Sequence, residues 1–283
     1  MTESAIIRRR QGRNAFWLAV VLALILVLLY SLLYVLEPFS PFVNDVFSNL
    51  VPIAAAGVGM CAAGVTARRY ESSDPPRGIW SQLAVGLLLW MMAEIVWAVY
   101  NLTMDEVGLT VADLMWVLAY LFFLRALLRQ YKLLFPPESG RVLQWLVAWG
   151  GSILTLTTIF AWLLTIFTGQ PWGVALVVSA FYPAADIVIS LASLQIVYRF
   201  GSGALGFPWI GLFVFAVSDL LYAILEASGA YSWSVTSGNL LSAIADITYV
   251  AAYLFVGLGC YAQLLLLRHG PIFILHRNAR EAS

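Results

Sequence analysis

Long runs of apolar residues, each about the length of a membrane crossing, dominate the chain. A transmembrane helix needs about 20 mostly apolar residues. Runs of this kind predict spans at residues 14–36, 50–67, 79–101, 109–131, 142–168, 175–198, 208–228 and 238–267. Strands of a membrane barrel alternate apolar and polar residues over shorter segments, so these unbroken runs indicate helices. The pattern predicts an all-α integral membrane protein of about eight transmembrane helices, forming a single membrane domain over residues 1–283.

The composition supports this interpretation. Hydrophobic residues make up 62% of the 283-residue chain and charged residues only 11%, whereas soluble domains contain about 25% charged residues. Much of the apolar surface must therefore face lipid. Cys61 and Cys260 both lie inside apolar runs and are interpreted as small buried hydrophobic side chains. Their spacing indicates neither a disulfide framework nor a metal site, and no cofactor is predicted.

The charged residues predict the orientation. All 15 Lys and Arg residues fall before span 1, between spans 2 and 3, around the connection of spans 4 and 5, or after spans 6 and 8. These positions share one side of the membrane, which the positive-inside rule makes cytoplasmic. We therefore predict cytoplasmic tails at residues 1–13 and 268–283, in a bacterial or archaeal plasma membrane. The lipid bilayer is the predicted environment, and no nucleic-acid partner is expected.

The first apolar run is interpreted as a retained signal anchor. Arg8, Arg9, Arg10 and Arg13 precede an uninterrupted apolar segment at residues 15–36. That segment is too long for the apolar part of a cleaved signal peptide, and no small-residue cleavage site follows it.

Spans 3 and 7 carry the same pattern of aromatic, acidic, aromatic and polar residues at the same spacing. The two sets are Trp90, Glu94, Trp97 and Asn101 in span 3, and Phe215, Asp219, Tyr222 and Glu226 in span 7. At 100° per residue the four positions of each set fall within about 60° of arc, so they share one helix face.

Spans 4 and 8 repeat in the same way. Their matching residues are Asp113, Trp116 and Tyr120 in span 4, and Asp246, Tyr249 and Tyr253 in span 8. A weaker match aligns Pro52 of span 2 with Pro183 of span 6. The sequence thus predicts a duplicated four-helix unit, with copies at residues 14–134 and 142–267. An even number of spans gives both copies the same orientation, so the axis relating them runs along the membrane normal.

Five carboxyl residues lie inside the apolar spans: Glu94, Asp113, Asp186, Asp219 and Asp246. Each costs about 2.5–3.5 kcal/mol near the centre of a transmembrane helix. The topology places all five in the outer half of the bilayer, with Asp113, Asp186 and Asp246 within two turns of the outer boundary. No basic residue is predicted there, so these groups must be neutral, hydrogen-bonded or in contact with something positive.

Aromatic residues share the helix faces of these acids. They are Trp90, Trp97, Trp116, Tyr120, Tyr222, Tyr249 and Tyr253. One hypothesis is that the acids only join helices by accepting hydrogen bonds. A second is an outward-opening pocket between the two copies, in which the acids bind a small cationic or hydroxylated ligand or an ion and the aromatic residues form the walls. A third is that the acids relay protons or take part in catalysis.

Two segments resemble a known family. Residues 89–100 (LWMMAEIVWAVY) and 110–120 (TVADLMWVLAY) are similar to the multi-pass N-terminal membrane sensor regions of bacterial diguanylate cyclases and histidine kinases, and the resemblance extends over residues 80–265. It implies an input module that perceives an external or membrane-dissolved signal. Only about 16 residues follow span 8, so no output domain is expected in this chain.

Three functional hypotheses follow. The first is a non-catalytic membrane sensor or accessory subunit that signals through a cytoplasmic or membrane partner. The second is a small proton-coupled secondary transporter, and the third an intramembrane lipid hydrolase using Asp113 and Asp246. No His or Lys lies inside the spans, and zinc-protease, Ser-His and phosphate-loop motifs are absent from the sequence, which disfavours an enzyme. A homodimer is left open.

Overall fold

Eight long helices make up nearly all of the chain that the computed structural model describes, namely residues 3–103, 108–134, 141–200, 206–232, 234–236 and 238–270. They are α1 (Glu3–Leu36), α2 (Pro41–Ala67), α3 (Pro75–Thr103), α4 (Val111–Leu134), α5 (Arg141–Thr168), α6 (Val174–Phe200), α7 (Phe207–Ala227) and α8 (Leu240–His269). Every one is long and apolar enough to cross a membrane. The prediction of an all-α multi-pass membrane protein is confirmed.

Several helices extend beyond the apolar runs that predicted them. Helix α1 begins at Glu3 and so includes most of the predicted tail at residues 1–13. Helix α2 begins at Pro41, and proline suits the first turn because the amide hydrogen it lacks has no helical partner there. Hydropathy alone misses such polar helix ends. Most of the second predicted tail, residues 271–283, lies outside the described residues.

Six helices form a closed ring. Within the first copy α2 packs on α3 and α3 on α4, and within the second α6 packs on α7 and α7 on α8. The ring closes where α8 contacts α2 and where α4 contacts α6. Exchanging the two predicted copies would map the first of these junctions onto the second.

The first helix of each copy lies outside this ring. Helix α1 lies along α8 with slight contact to α2, whereas α5 lies along α6. Both expose large apolar side chains, among them Leu18 and Leu28 of α1 and Leu154 and Phe167 of α5. The symmetry of the contacts is therefore clearest in α2–α4 and α6–α8, and α1 and α5 present broad apolar surfaces to lipid.

Glycines bring α8 to backbone distance from its neighbours. A Cβ on Gly257 would lie 3.4 Å from the Cα of Gly59 on α2, and a Cβ on Gly211 of α7 would lie 2.5 Å from the backbone nitrogen of Val256. Small residues at such positions allow close helix packing in membranes. Helix α8 is consequently the element that joins the two copies most tightly.

The two ends of the bundle differ in charge. The described Arg and Lys residues lie before or early in α1, α3 and α5, or in the second half or at the end of α2, α4, α6 and α8. Because consecutive helices cross in opposite directions, these positions share one end, which we call the basic end. The connections α1–α2, α3–α4, α5–α6 and α7–α8 lie at the opposite end.

Candidate functional site

Two buried aromatic rings meet at the centre of the bundle. Trp90 of α3 and Phe215 of α7 are 1% and 2% exposed, and their ring centroids are 4.6 Å apart in an edge-to-face arrangement. They occupy the same position in the two copies. Equivalent residues that contact each other lie on the axis relating two copies, so the predicted duplication would place its axis at this pair.

The rings around this pair follow the same symmetry. Trp90 packs against Tyr120 of its own copy at 5.2 Å between centroids, and Phe215 packs against Tyr253 of its own copy at 5.5 Å. Tyr249 stacks on Phe215 at 5.1 Å. These predicted wall residues are therefore brought together around the axis.

Carboxyl groups bond across the copies in a reciprocal way. The Tyr120 hydroxyl on α4 lies 2.7 Å from Oδ2 of Asp219 on α7. The equivalent hydroxyl, that of Tyr253 on α8, donates to Oε1 of Glu94 on α3 at 3.2 Å. In each case the last helix of one copy bonds the acid on the third helix of the other. The two bonds therefore join residues at matching positions of the predicted copies.

One half adds a second acid to this arrangement. Oδ1 of Asp186 on α6 lies 2.6 Å from the same Tyr120 hydroxyl, and the Asp186 side chain is fully buried. The alignment of Pro52 with Pro183 makes Ala55 its counterpart on α2. The other half therefore has a methyl group where this half has a carboxyl group.

At the Glu94–Tyr253 bond, the additional group is a hydrogen-bond donor. The Nε1 of Trp90 donates to Oε1 of Glu94 at 3.1 Å and to the Tyr249 hydroxyl at 2.7 Å. Phe215, its counterpart, has no such donor. Nε1 of Trp116, the counterpart of Tyr249, is buried without a hydrogen-bond partner among the described residues.

Asp113 lies in the first turn of α4 and caps its own helix. Its Oδ2 accepts the backbone N–H of Thr110 at 2.8 Å, and the Thr110 hydroxyl accepts the N–H of Ala112 at 3.1 Å. This resembles the reciprocal capping box of helix N-termini. Its Oδ1 accepts the Tyr182 hydroxyl of α6 at 2.8 Å, so Asp113 also joins α4 to α6.

Asp246 lies deeper in its helix than Asp113. Helix α8 is capped instead by Asn239, whose side chain accepts the N–H of Ser242 at 2.9 Å. The Asp246 carboxylate accepts the hydroxyls of Tyr34 on α1 at 2.7 Å and of Tyr231 in the α7–α8 connection at 2.6 Å. It therefore ties α1 and this connection to α8.

The predicted depth of Asp186 is wrong. We expected it within two turns of the outer boundary, but it lies near the middle of α6, which begins at Val174. With a rise of 1.5 Å per residue this places it roughly 18 Å along the helix. Asp219 is similarly central in α7 (Phe207–Ala227). The Asp186–Tyr120–Asp219 group therefore lies near the middle of its helices, farther from their ends than Asp113 and Asp246 are.

Two further wall residues lie toward the opposite end. Trp97 packs against Trp116 with ring centroids 5.9 Å apart, and Tyr222 packs against Tyr231 at 4.8 Å. All four are only partly buried, as are Glu94, Asp219, Asp246 and Tyr249. The acids accept hydrogen bonds from neighbouring helices and connections, so this side of the centre is closed largely by those contacts.

The side-chain hydrogen-bond donors to the acids in this region are hydroxyl and indole groups. Within the part of the chain that the structure describes, no group of three His, Cys, Asp or Glu side chains is arranged to hold a metal ion. Each of the five predicted acids lies within hydrogen-bond distance of at least one tyrosine hydroxyl. The acids are thus bound to hydrogen-bond donors on other helices or connections.

These features define an α-helical multi-pass membrane protein with a tyrosine–carboxyl centre between helices α2–α4 and helices α6–α8. Comparison with protein-family models, curated proteins and solved structures gives no match. The resemblance to membrane sensor regions therefore stays a prediction.

Proposed function

We propose that this chain is a membrane sensor or accessory module that binds a small ligand at the tyrosine–carboxyl centre and signals through a protein partner. The observation that carries the proposal is the pair of reciprocal bonds from Tyr120 to Asp219 and from Tyr253 to Glu94. They join the two halves through groups that a ligand with its own hydrogen-bond donors can engage instead.

The polar groups of the centre favour a hydroxylated ligand, with an organic cation as the second choice. The carboxyl groups of Glu94 and Asp219 accept hydrogen bonds. The Trp116 Nε1–H, which has no partner among the described residues, offers one. A hydroxyl group both donates and accepts, so it matches both. A cation would be stabilised by the carboxylates and by the faces of the surrounding aromatic rings.

Binding would alter how the halves pack. A ligand shifts a conformational equilibrium only by binding one arrangement more tightly than the other. A ligand that takes the place of Tyr120 or Tyr253 at an acid binds more tightly to the arrangement in which the bond between the halves is broken, because it replaces that bond. Since α4 and α8 both run from this region to the basic end, their displacement would reach a partner there.

We expect a ligand of this class to stabilise the chain against heat. A panel of polyols and organic ammonium ions is screened by thermal unfolding in detergent. At 100 times its dissociation constant a ligand adds about 2.7 kcal/mol to the free energy of unfolding. Substitution Glu94→Gln removes an acceptor charge at the centre. We expect this variant to need at least about ten times more ligand than the unsubstituted chain for the same rise in unfolding temperature.

Glu37→Gln is the matched control, since Glu37 is an exposed acid in the α1–α2 connection. It should respond to the ligand as the unsubstituted chain does. A compound whose effect is unchanged in both Glu94→Gln and Asp219→Asn would bind elsewhere and would contradict the proposed site.

We infer that the basic end faces the cytoplasm of a bacterial or archaeal cell, because Lys and Arg are retained on that side. After Cys61 and Cys260 are replaced, single cysteines are introduced by Gln170→Cys in the α5–α6 connection and by Ser72→Cys in the α2–α3 connection. A membrane-impermeant maleimide is expected to label the first in intact cells and the second only after permeabilisation. The reverse pattern would contradict the orientation.

A proton-coupled transporter is the second candidate, favoured by the acids that two related halves place near mid-membrane. A flux assay in proteoliposomes separates it from a sensor, which binds without net transport. The lipid hydrolase hypothesis gains no support from the site, because Thr110 and Tyr182 hold Asp113 whereas Tyr34 and Tyr231 hold Asp246.

A further inference from the structure

We propose that Asp186, Tyr120 and Asp219 form a proton-binding site, in which a proton on Asp186 completes the contact between the two halves. The site shares Tyr120 and Asp219 with the ligand site proposed above, but the case for the proton does not rest on that ligand. The proton site is found in one half only, because the counterpart of Asp186 is Ala55.

The Tyr120 hydroxyl has fewer hydrogen atoms than its two close contacts with carboxyl groups require. The Tyr120 hydroxyl oxygen lies 2.6 Å from Oδ1 of Asp186 and 2.7 Å from Oδ2 of Asp219. Both distances are those of short O–H···O bonds. A phenol has one hydrogen and can donate to only one of the two carboxyl groups. The second contact is a hydrogen bond only when the other carboxyl group supplies a hydrogen of its own.

The alternative state is costly. If both carboxyl groups were ionised, two negative charges would share one donor near the middle of a transmembrane bundle. Two carboxylates at one site do not both remain ionised when no cation compensates them. One added proton gives an unbroken chain of two hydrogen bonds and leaves a single charge.

The surroundings assign that proton to Asp186. Its side chain is fully buried, and its Oδ2 has no hydrogen-bond partner among the described residues. An unpaired oxygen of a buried carboxylate is far more costly than the carbonyl oxygen of a neutral acid. Asp219 is only partly buried. Asp186 therefore donates to the Tyr120 oxygen, and Tyr120 donates to Asp219.

The site links the proton to the packing of the halves. Tyr120 belongs to α4 of the first half, and both acids belong to α6 and α7 of the second. Loss of the proton leaves one carboxylate without a donor, so the junction between α4 and the second half depends on it.

Infrared spectroscopy of protein labelled with ¹³C at the aspartate carboxyl carbon tests the assignment at neutral pH. The unsubstituted chain is expected to show the C=O stretch of a protonated aspartic acid, identified by its isotope shift. Asp186→Asn should remove one such band. Asp45→Asn should remove none, because Asp45 accepts bonds from the Ser234 hydroxyl and the Val235 N–H as an ordinary carboxylate does.

A protonated band that is equally strong in Asp186→Asn would overturn the assignment. Should that variant not fold, solid-state NMR of the labelled unsubstituted chain decides the matter. Its carboxyl shifts separate protonated from ionised groups, and a spectrum with ionised aspartates only would refute the proton site. A ligand that still binds in that case leaves the proposed function standing.

Discussion

Replacement of Trp90 by alanine is expected to lower the free energy of unfolding by about 3 kcal/mol. Buried Trp to Ala changes cost roughly 3–5 kcal/mol in soluble proteins. In a bilayer the loss comes from packing and hydrogen bonding rather than from transfer out of water, so we take the lower value. Trp90 touches Phe215 across the axis and donates to Glu94 and Tyr249, and alanine keeps none of these contacts.

Equilibrium unfolding in mixed micelles of increasing SDS fraction measures this loss. Trp162→Ala is the control, because Trp162 on α5 is 58% exposed and should change stability by no more than about 0.5 kcal/mol. Equal effects of the two substitutions would show that the centre of the bundle does not lie at Trp90.

Replacement of Tyr120 by phenylalanine is expected to cost about 2 kcal/mol, although it removes a single oxygen atom. A buried acceptor that loses its partner costs about 1–3 kcal/mol, and more when it is charged. Here one hydroxyl serves both Asp186 and Asp219. Tyr131→Phe on the same helix is the matched control.

The control removes a hydroxyl that donates to Gln195 at 2.6 Å in an exposed region, so an effect within about 0.5 kcal/mol is expected. Both substitutions are measured by the same SDS titration. A loss for Tyr120→Phe as small as that of the control would show that the acids do not depend on this hydroxyl.

The helices and the central residues could be predicted from sequence because both leave periodic patterns. Spans of apolar residues predict helices directly. Glu94 and Asp219 occupy the same position in the repeated pattern of α3 and α7, and Tyr120 and Tyr253 do so in α4 and α8. The pattern therefore predicted that each pair lies on equivalent helix faces. That the acids accept hydrogen bonds was one of the hypotheses drawn from the sequence. Which donor meets which acid was not predicted, since it depends on the junctions between α8 and α2 and between α4 and α6.

Other contacts leave a weaker signal. Tyr34, Tyr182 and Tyr231 bind the outer acids, yet none belongs to the repeated pattern. Tyr34 lies on α1 and Tyr182 on α6, and no periodic pattern in the sequence predicts how α1 packs on α8 or α6 on α4. Tyr231 lies in the α7–α8 connection. The capping role of Asp113 did have a signal, because Thr110 stands three residues before it as in a capping box.

Double-mutant cycles on the reciprocal bonds test most directly whether the halves are joined through tyrosine and carboxyl groups. Tyr253→Phe is combined with Glu94→Gln, and Tyr120→Phe with Asp219→Asn, with stability read by SDS unfolding. Each matched pair is expected to show a coupling energy of about 1 kcal/mol. The mismatched pair Tyr253→Phe with Asp113→Asn should be additive within about 0.5 kcal/mol. Additivity in both matched pairs would show that these tyrosine–carboxyl bonds do not join the halves.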